Sequence, residues 1–274
     1  MIHKMGFLCR VPHIAVPGAR KNRGLSMLRK RNHIREFMTV TMIGLCIDCA
    51  NVLMVANSTT YRYAIELWNY GEEFLHILYP IVFSAPFCWL LFHERHGGYW
   101  KNMYNRSAFS RYLRRRILTA IWLSAAAMFL VSALSLPFAY WIAPLNVSAG
   151  QTTTSKFFYG SYQLNHPVLY ALILSCWRSV LAALYTAMGA GITMISGNIF
   201  LAMTGPFVYS IAENFVTAIL RVPALSICTS FYPNRLSGTA VTFPKLLVGP
   251  LVMLLAIVSI YAYYRRKIKR TLLD

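Results

Sequence analysis

Charge is what this chain has least of. Only 13% of its 274 residues are Asp, Glu, Lys or Arg, about half the share in an ordinary soluble domain. Acids are the scarcer sign, eight Asp and Glu against 27 Lys and Arg, for a formal net charge of +19. Hydrophobic residues reach 57% and fall in long uninterrupted runs. That combination excludes a solvated globular surface and points to lipid, because a span needs ~20 mostly apolar residues to cross ~30 Å of hydrocarbon.

Other absences narrow the chemistry. No G-x-x-x-x-G-K-[ST] loop occurs, so the chain has no phosphate cradle of the usual kind for ATP. No G-x-S-x-G elbow accompanies His76, His93, His96 or His166, which sit near the ends of apolar runs, and no catalytic site is assigned. Six cysteines supply no disulfide framework. Cys46 and Cys49 form a lone C-x-x-C inside an apolar run and read as small packing residues, not as metal ligands. The chain is therefore expected to be no enzyme, with no metal or cofactor of its own. The opening text MIHKMGFLCRVPHIAVPGARKNRG lacks the apolar core of a signal peptide.

What is present is a succession of six apolar runs, at about 37–56, 74–92, 117–141, 168–195, 199–220 and 246–264. They predict an all-α integral membrane protein of six transmembrane helices. Residues 1–25 read as a basic cytoplasmic tail and 26–274 as the six-span domain. Within the latter, SMLRKRNHIRE (26–36) reads as an interfacial helix on the membrane surface. The turn Ser196-Gly197-Asn198 alone separates spans four and five. Segment 221–245, apolar but interrupted by Pro223, Pro233 and Pro244, is too broken to span and reads as a partly re-entrant element shielded by protein.

The basic residues set the orientation. Nine precede span one, seven lie between Arg95 and Arg116, and five follow Tyr264, all on one side by alternation. The positive-inside rule puts that side, with both termini, in the cytoplasm, and the basic excess serves topology and anionic lipid headgroups, not nucleic acid. Arg221, Arg235 and Lys245, between spans five and six, are a local exception.

Three ionisable residues fall inside apolar text: Asp48 in span one, Arg178 in span four and Glu213 in span five. Each costs about 2.5 to 3.5 kcal/mol at mid-helix on insertion scales, so such groups face the bundle interior and find partners. Depth along the helices predicts that Arg178 pairs with Glu213 or Asp48, either lining a substrate path or holding helices together. Met188, Gly189, Gly191, Gly197 and Gly205 offer small or soft packing surface around the junction of spans four and five.

The text LYPIVFSAPFCWLLFHERHGGYWKNMYNRSAFSRYLRRRILTAIW resembles the type-two permease family of ATP-binding-cassette (ABC) transporters, through Pro80, Pro86, Glu94, Arg95, Gly97, Arg106, Ser107 and Tyr112. The likeness covers about 45 residues closely, and the six-span layout and the stretch ISGNIFLAMTGPF more loosely. It implies a permease that pairs with a second copy or a paralogue in the plasma membrane. It also implies separate cassette ATPase subunits that bind ATP and Mg and touch the cytoplasmic loop after span two. Within that loop Gly97-Gly98 is followed by Tyr99, Trp100, Met103 and Tyr104, which share one side at helical spacing and read as a short coupling helix. Glu94, Arg95, Gly97, Trp100, Tyr104, Arg106 and Tyr112 are the expected coupling residues. Export is the direction that the resemblance implies, and the few polar residues within the spans favour an amphipathic or apolar cargo. A membrane-anchored interaction or immunity protein that transports nothing is the rival expectation.

Overall fold

The computed structural model describes residues 19–58, 61, 63–96, 109–143, 158–238 and 240–271. The expected coupling residues Gly97, Trp100, Tyr104 and Arg106 lie outside them, as does most of the expected tail. The chain divides into two units, Met1–Arg35 and Glu36–Asp274. In the first, residues 19–35 are helical. The helical character expected over 26–36 is thus present, within an element, α1, that runs Ala19–Ser58.

Beyond α1 the order is α2 (Ala64–His96), α3 (Phe109–Ile142), a short α4 (Gly160–Asn165), α5 (Pro167–Ile195) and α6 (Ile199–Ile219). Two 3-10 turns, Pro223–Leu225 and Pro233–Arg235, flank α7 (Ile227–Phe231), and α8 (Phe243–Thr271) closes the chain. Among the described residues there is no strand. Six helices are long and apolar enough to cross a membrane, over Ile34–Ser58, Ala64–His96, Ser110–Ile142, Pro167–Ile195, Ile199–Ile219 and Phe243–Arg266. The protein is an all-α, multi-pass membrane protein.

Two helices are longer than their apolar text. α2 begins ten residues before the expected span, so the polar stretch after Ala64 is helical and carries Glu66, Asn69 and Glu72 into the interior. α3 starts at Phe109 because RYLRRR are good helix formers that need not be apolar once they stand clear of hydrocarbon. α5 and α6 meet at the expected turn: the Asn198 side chain accepts from the Phe200 N–H at 2.8 Å, satisfying one of the orphan donors of α6.

α2 and α5 occupy the centre of the bundle, and each packs against α3 and α6. The core they share holds Tyr79, Phe83, Phe87, Met128, Leu181 and Tyr185, with Phe231 of α7 stacked on Tyr79 at 3.9 Å between ring centroids. Small residues set helix approach. Gly189 sits against Cys88 and Pro206, and Gly191 against Ile260 and Tyr261, as expected of packing glycines. Gly197 does not belong with them: a Cβ there meets nothing within 4 Å, because the turn stands clear of neighbouring helices. The closest backbone approach is instead at Gly249 of α8, where a Cβ would lie 2.6 Å from the Ile227 nitrogen.

Segment 221–235 is an inserted element. Ile227 to Phe231 are all buried, and burial pushes the Cys228 thiol and the Tyr232 phenol above their ordinary ranges. Protein groups meet its polar atoms: Trp177 Nε1 donates to the Ser230 carbonyl at 2.8 Å, and the Ser230 hydroxyl donates to the Leu246 carbonyl of α8 at 2.6 Å. Arg221, at φ 57°, takes the left-handed conformation that turns the chain out of α6.

Candidate functional site

Two polar constellations are built into the bundle. The first is interior. Helical spacing puts Trp68, Asn69 and Glu72 on adjoining faces of α2, and Ser132 and Ser135 one turn apart on α3, where they meet Arg178 of α5. Arg178 Nη1 lies 2.7 Å from Glu72 Oε1, both side chains being wholly buried. The same nitrogen donates to Ser132 Oγ at 3.0 Å, and Nε donates to the Phe231 carbonyl at 3.2 Å. Ser132 Oγ in turn donates to Glu72 Oε1 at 2.6 Å. The guanidinium is sandwiched by rings, 4.8 Å from the Trp68 centroid and 5.2 Å from that of Phe231. Trp68 Nε1 donates to Ser135 Oγ at 3.0 Å, which closes the network.

This corrects the expected pairing. The partner of Arg178 is Glu72, which lies two residues before the expected start of span two and was given no role. Glu213 is turned elsewhere: its carboxylate accepts from Ser226 Oγ at 2.9 Å and from the Ile227 N–H at 3.2 Å, capping α7. Asp48 is wholly buried, and the charges of Glu72 and Arg178 act on it. The node thus holds two carboxylates for one guanidinium. Glu72 Oε2, Arg178 Nη2 and both carboxylate oxygens of Asp48 have no hydrogen-bond partner among the described residues, so the node retains polar capacity in a dry interior.

The second constellation stands where α2 ends and α3 begins. Arg116 grips Glu94 with two nitrogens, Nε donating to Oε2 at 2.9 Å and Nη2 to Oε1. Tyr112 Oη donates to Glu94 Oε2 at 3.3 Å. This is the bidentate fork of an arginine–carboxylate pair, with Arg116 at 9% exposure and Glu94 at 14%. Arg95 points the other way. Its Nη1 donates to the carbonyls of Thr193 and Ser196, at 2.5 and 2.7 Å, and so caps the C-terminus of α5 with a cation.

Of the residues expected at this end, Glu94 and Tyr112 are brought together and Arg95 is committed to the α5–α6 turn. Sequence reasoning missed Arg116, which it counted only as the last of the basic residues between spans two and three. A signal existed: an acid at the end of one apolar run and a base at the start of the next are placed to meet when the runs are antiparallel neighbours. Among the described residues no group of His, Cys, Asp or Glu is placed to hold a metal ion.

Comparison of the chain with protein-family models, with curated proteins and with solved structures finds no match.

Proposed function

We propose that this chain is the membrane-spanning permease subunit of an ABC transporter, an exporter driven by separate ATPase subunits that bind ATP and Mg. The observation that carries the reading is the clasp between the end of α2 and the start of α3. Glu94 before segment 97–108 and Tyr112 and Arg116 after it are locked together, while Arg95 ties the same helix end to the α5–α6 turn. A segment that receives mechanical work from a partner needs rigid supports on both flanks, and a loop lying idle among headgroups does not. These supports include Glu94, Arg95 and Tyr112, three of the residues through which the sequence resembles type-two permeases.

On this reading both termini and segment 97–108 are cytoplasmic, the membrane is the plasma membrane, and a second copy or paralogue completes the pathway. The interior node of Glu72, Arg178 and Asp48 joins the helices that must move relative to one another. The test is capture of a cassette ATPase with the tagged chain in mild detergent, followed by ATP-dependent efflux from vesicles that contain both. Recovery of the intact chain from its native membranes with no cassette ATPase would sink the proposal.

A further inference from the structure

Asp48 of α1, Glu72 of α2 and Arg178 of α5 are three ionisable side chains with no exposed surface, and their formal charges do not balance. Two carboxylates set against one guanidinium leave one negative charge over. In a dry interior an ionised carboxylate without a partner is neutralised by taking up a proton.

The bonding pattern says which carboxylate that is. Glu72 is the one that Arg178 has taken: its Oε1 lies 2.7 Å from Nη1 and accepts from the Ser132 hydroxyl at 2.6 Å. Asp48 has nothing comparable. Both of its oxygens are buried without a hydrogen-bond partner among the described residues, although Arg178 Nη2 is equally unpartnered. An ionised Asp48 would draw that nitrogen to itself, because a charge-assisted hydrogen bond is about twice as strong as a neutral one. A carboxyl that carries its own hydrogen has no such need. Nor do the hydroxyls of α3 have a hydrogen to spare, since Ser132 donates to Glu72 and Ser135 donates to the Ser132 carbonyl at 3.0 Å.

No second cation balances Asp48 among the described residues. The charges that act on it are those of Glu72 and Arg178. Cys49 adjoins it on α1, and its thiol feels Asp48. The titratable groups further along, His76, Tyr170 and Tyr232, feel Arg178.

We propose that Asp48 is a proton-binding site in the interior of the membrane, its carboxyl protonated while Glu72 carries the charge that Arg178 balances. The ligand is the hydrogen ion, taken from water onto one Asp48 oxygen and returned to water on release, with no other covalent bond made or broken. Release leaves two charged carboxylates to share one guanidinium, so the proton sets whether Arg178 ties α5 to α2 alone or to α1 as well. The site rests on no part of the transport reading.

The sequence makes Asp48 directly visible, because the only other aspartate is the last residue, Asp274. The full chain with Asp274→Asn is synthesised with aspartate that carries heavy carbon in its side-chain carboxyl and is purified in detergent. Its infrared spectrum is recorded in choline buffer at about pH 7, where an exposed Asp is ionised. The labelled group is expected to absorb as the protonated acid, in a band that moves on transfer to deuterium oxide. Glu72→Gln, which leaves Asp48 the one carboxylate beside Arg178, should convert that band to the carboxylate pair; if this variant fails to fold, the first spectrum decides alone. A labelled group that absorbs as carboxylate with Glu72 in place, or that stays protonated in a folded Glu72→Gln variant, would overturn the proposal. So would a protonated band that turns to carboxylate when sodium or potassium is added at the same pH, since the occupant would then be a metal ion.

Discussion

The guanidinium of Arg178 and the carboxylate of Glu72 meet at 2.7 Å between two central helices, with no exposed surface on either side chain. Removing one member of such a pair strands the other charge in a dry interior, at a cost of about 3 to 5 kcal/mol. Arg178→Ala and Glu72→Ala are therefore each expected to lower the thermal unfolding temperature in detergent sharply. Glu72→Leu combined with Arg178→Met, apolar and of similar volume, should be less destabilised than either alanine variant. A double variant as unstable as the sum of the singles would show that the two residues do not act as a pair.

The bidentate contact between Glu94 and Arg116 predicts a charge-swap rescue. On the proposed function, Glu94→Ala should leave the protein inserted but weaken ATPase capture and abolish transport. Glu94→Arg with Arg116→Glu should restore a substantial part of both. Capture assays on the three proteins side by side check this, and undiminished capture by Glu94→Ala would remove the contact from the coupling route.

Two glycines should respond oppositely to the same change. Gly249→Ala drives a methyl into the backbone at Ile227, and overpacking of that kind costs about 1 to 3 kcal/mol because backbone cannot rotate away. Gly197→Ala meets open space and should be neutral or stabilising by up to about 1 kcal/mol, through the unfolded chain. Thermal unfolding of both variants in one detergent is sufficient.

Topology is checked by impermeant thiol reagents on intact cells. A cysteine at Ser237, between α7 and α8, is expected to be labelled and one at Tyr104 is not. The reverse pattern would invert the orientation drawn from the basic residues.

The six spans were legible because hydrocarbon imposes its thickness on the text, and each apolar run has become one helix. Helix ends were less so. Glu66, Asn69 and Glu72 precede the apolar run of span two and drew no reading, since a sequence shows the cost of burying a carboxylate and not the partner that offsets it. Arg178 was conspicuous as a lone charge in span four, yet depth along separate helices could not choose among acids. Depth ignores which faces meet, and α5 turns Arg178 toward α2 and α3, not toward Glu213 of α6. Glu213 was equally visible, but its role depends on the backbone N–H of Ile227, a donor that residue type does not advertise. Of the site at the end of α2, the sequence pointed to Glu94, Arg95 and Tyr112 and not to the arginine that joins them.

α2 links the two polar constellations in a single rod. Glu72 and Glu94 stand about six turns, or about 33 Å, apart along it, one engaged with Arg178 and the other with Arg116. Between them lie Pro80 and Pro86, both inside the helix. Each proline has no N–H to give, so the rod has fewer internal bonds there than elsewhere and flexing at that place breaks fewer of them. A bend at that place would divide the helix into a part that Arg95 ties to the α5–α6 turn and a part that Glu72 ties to Arg178. The stiffness of the protein is thus uneven along one helix, and the compliant point lies midway between its two electrostatic clasps.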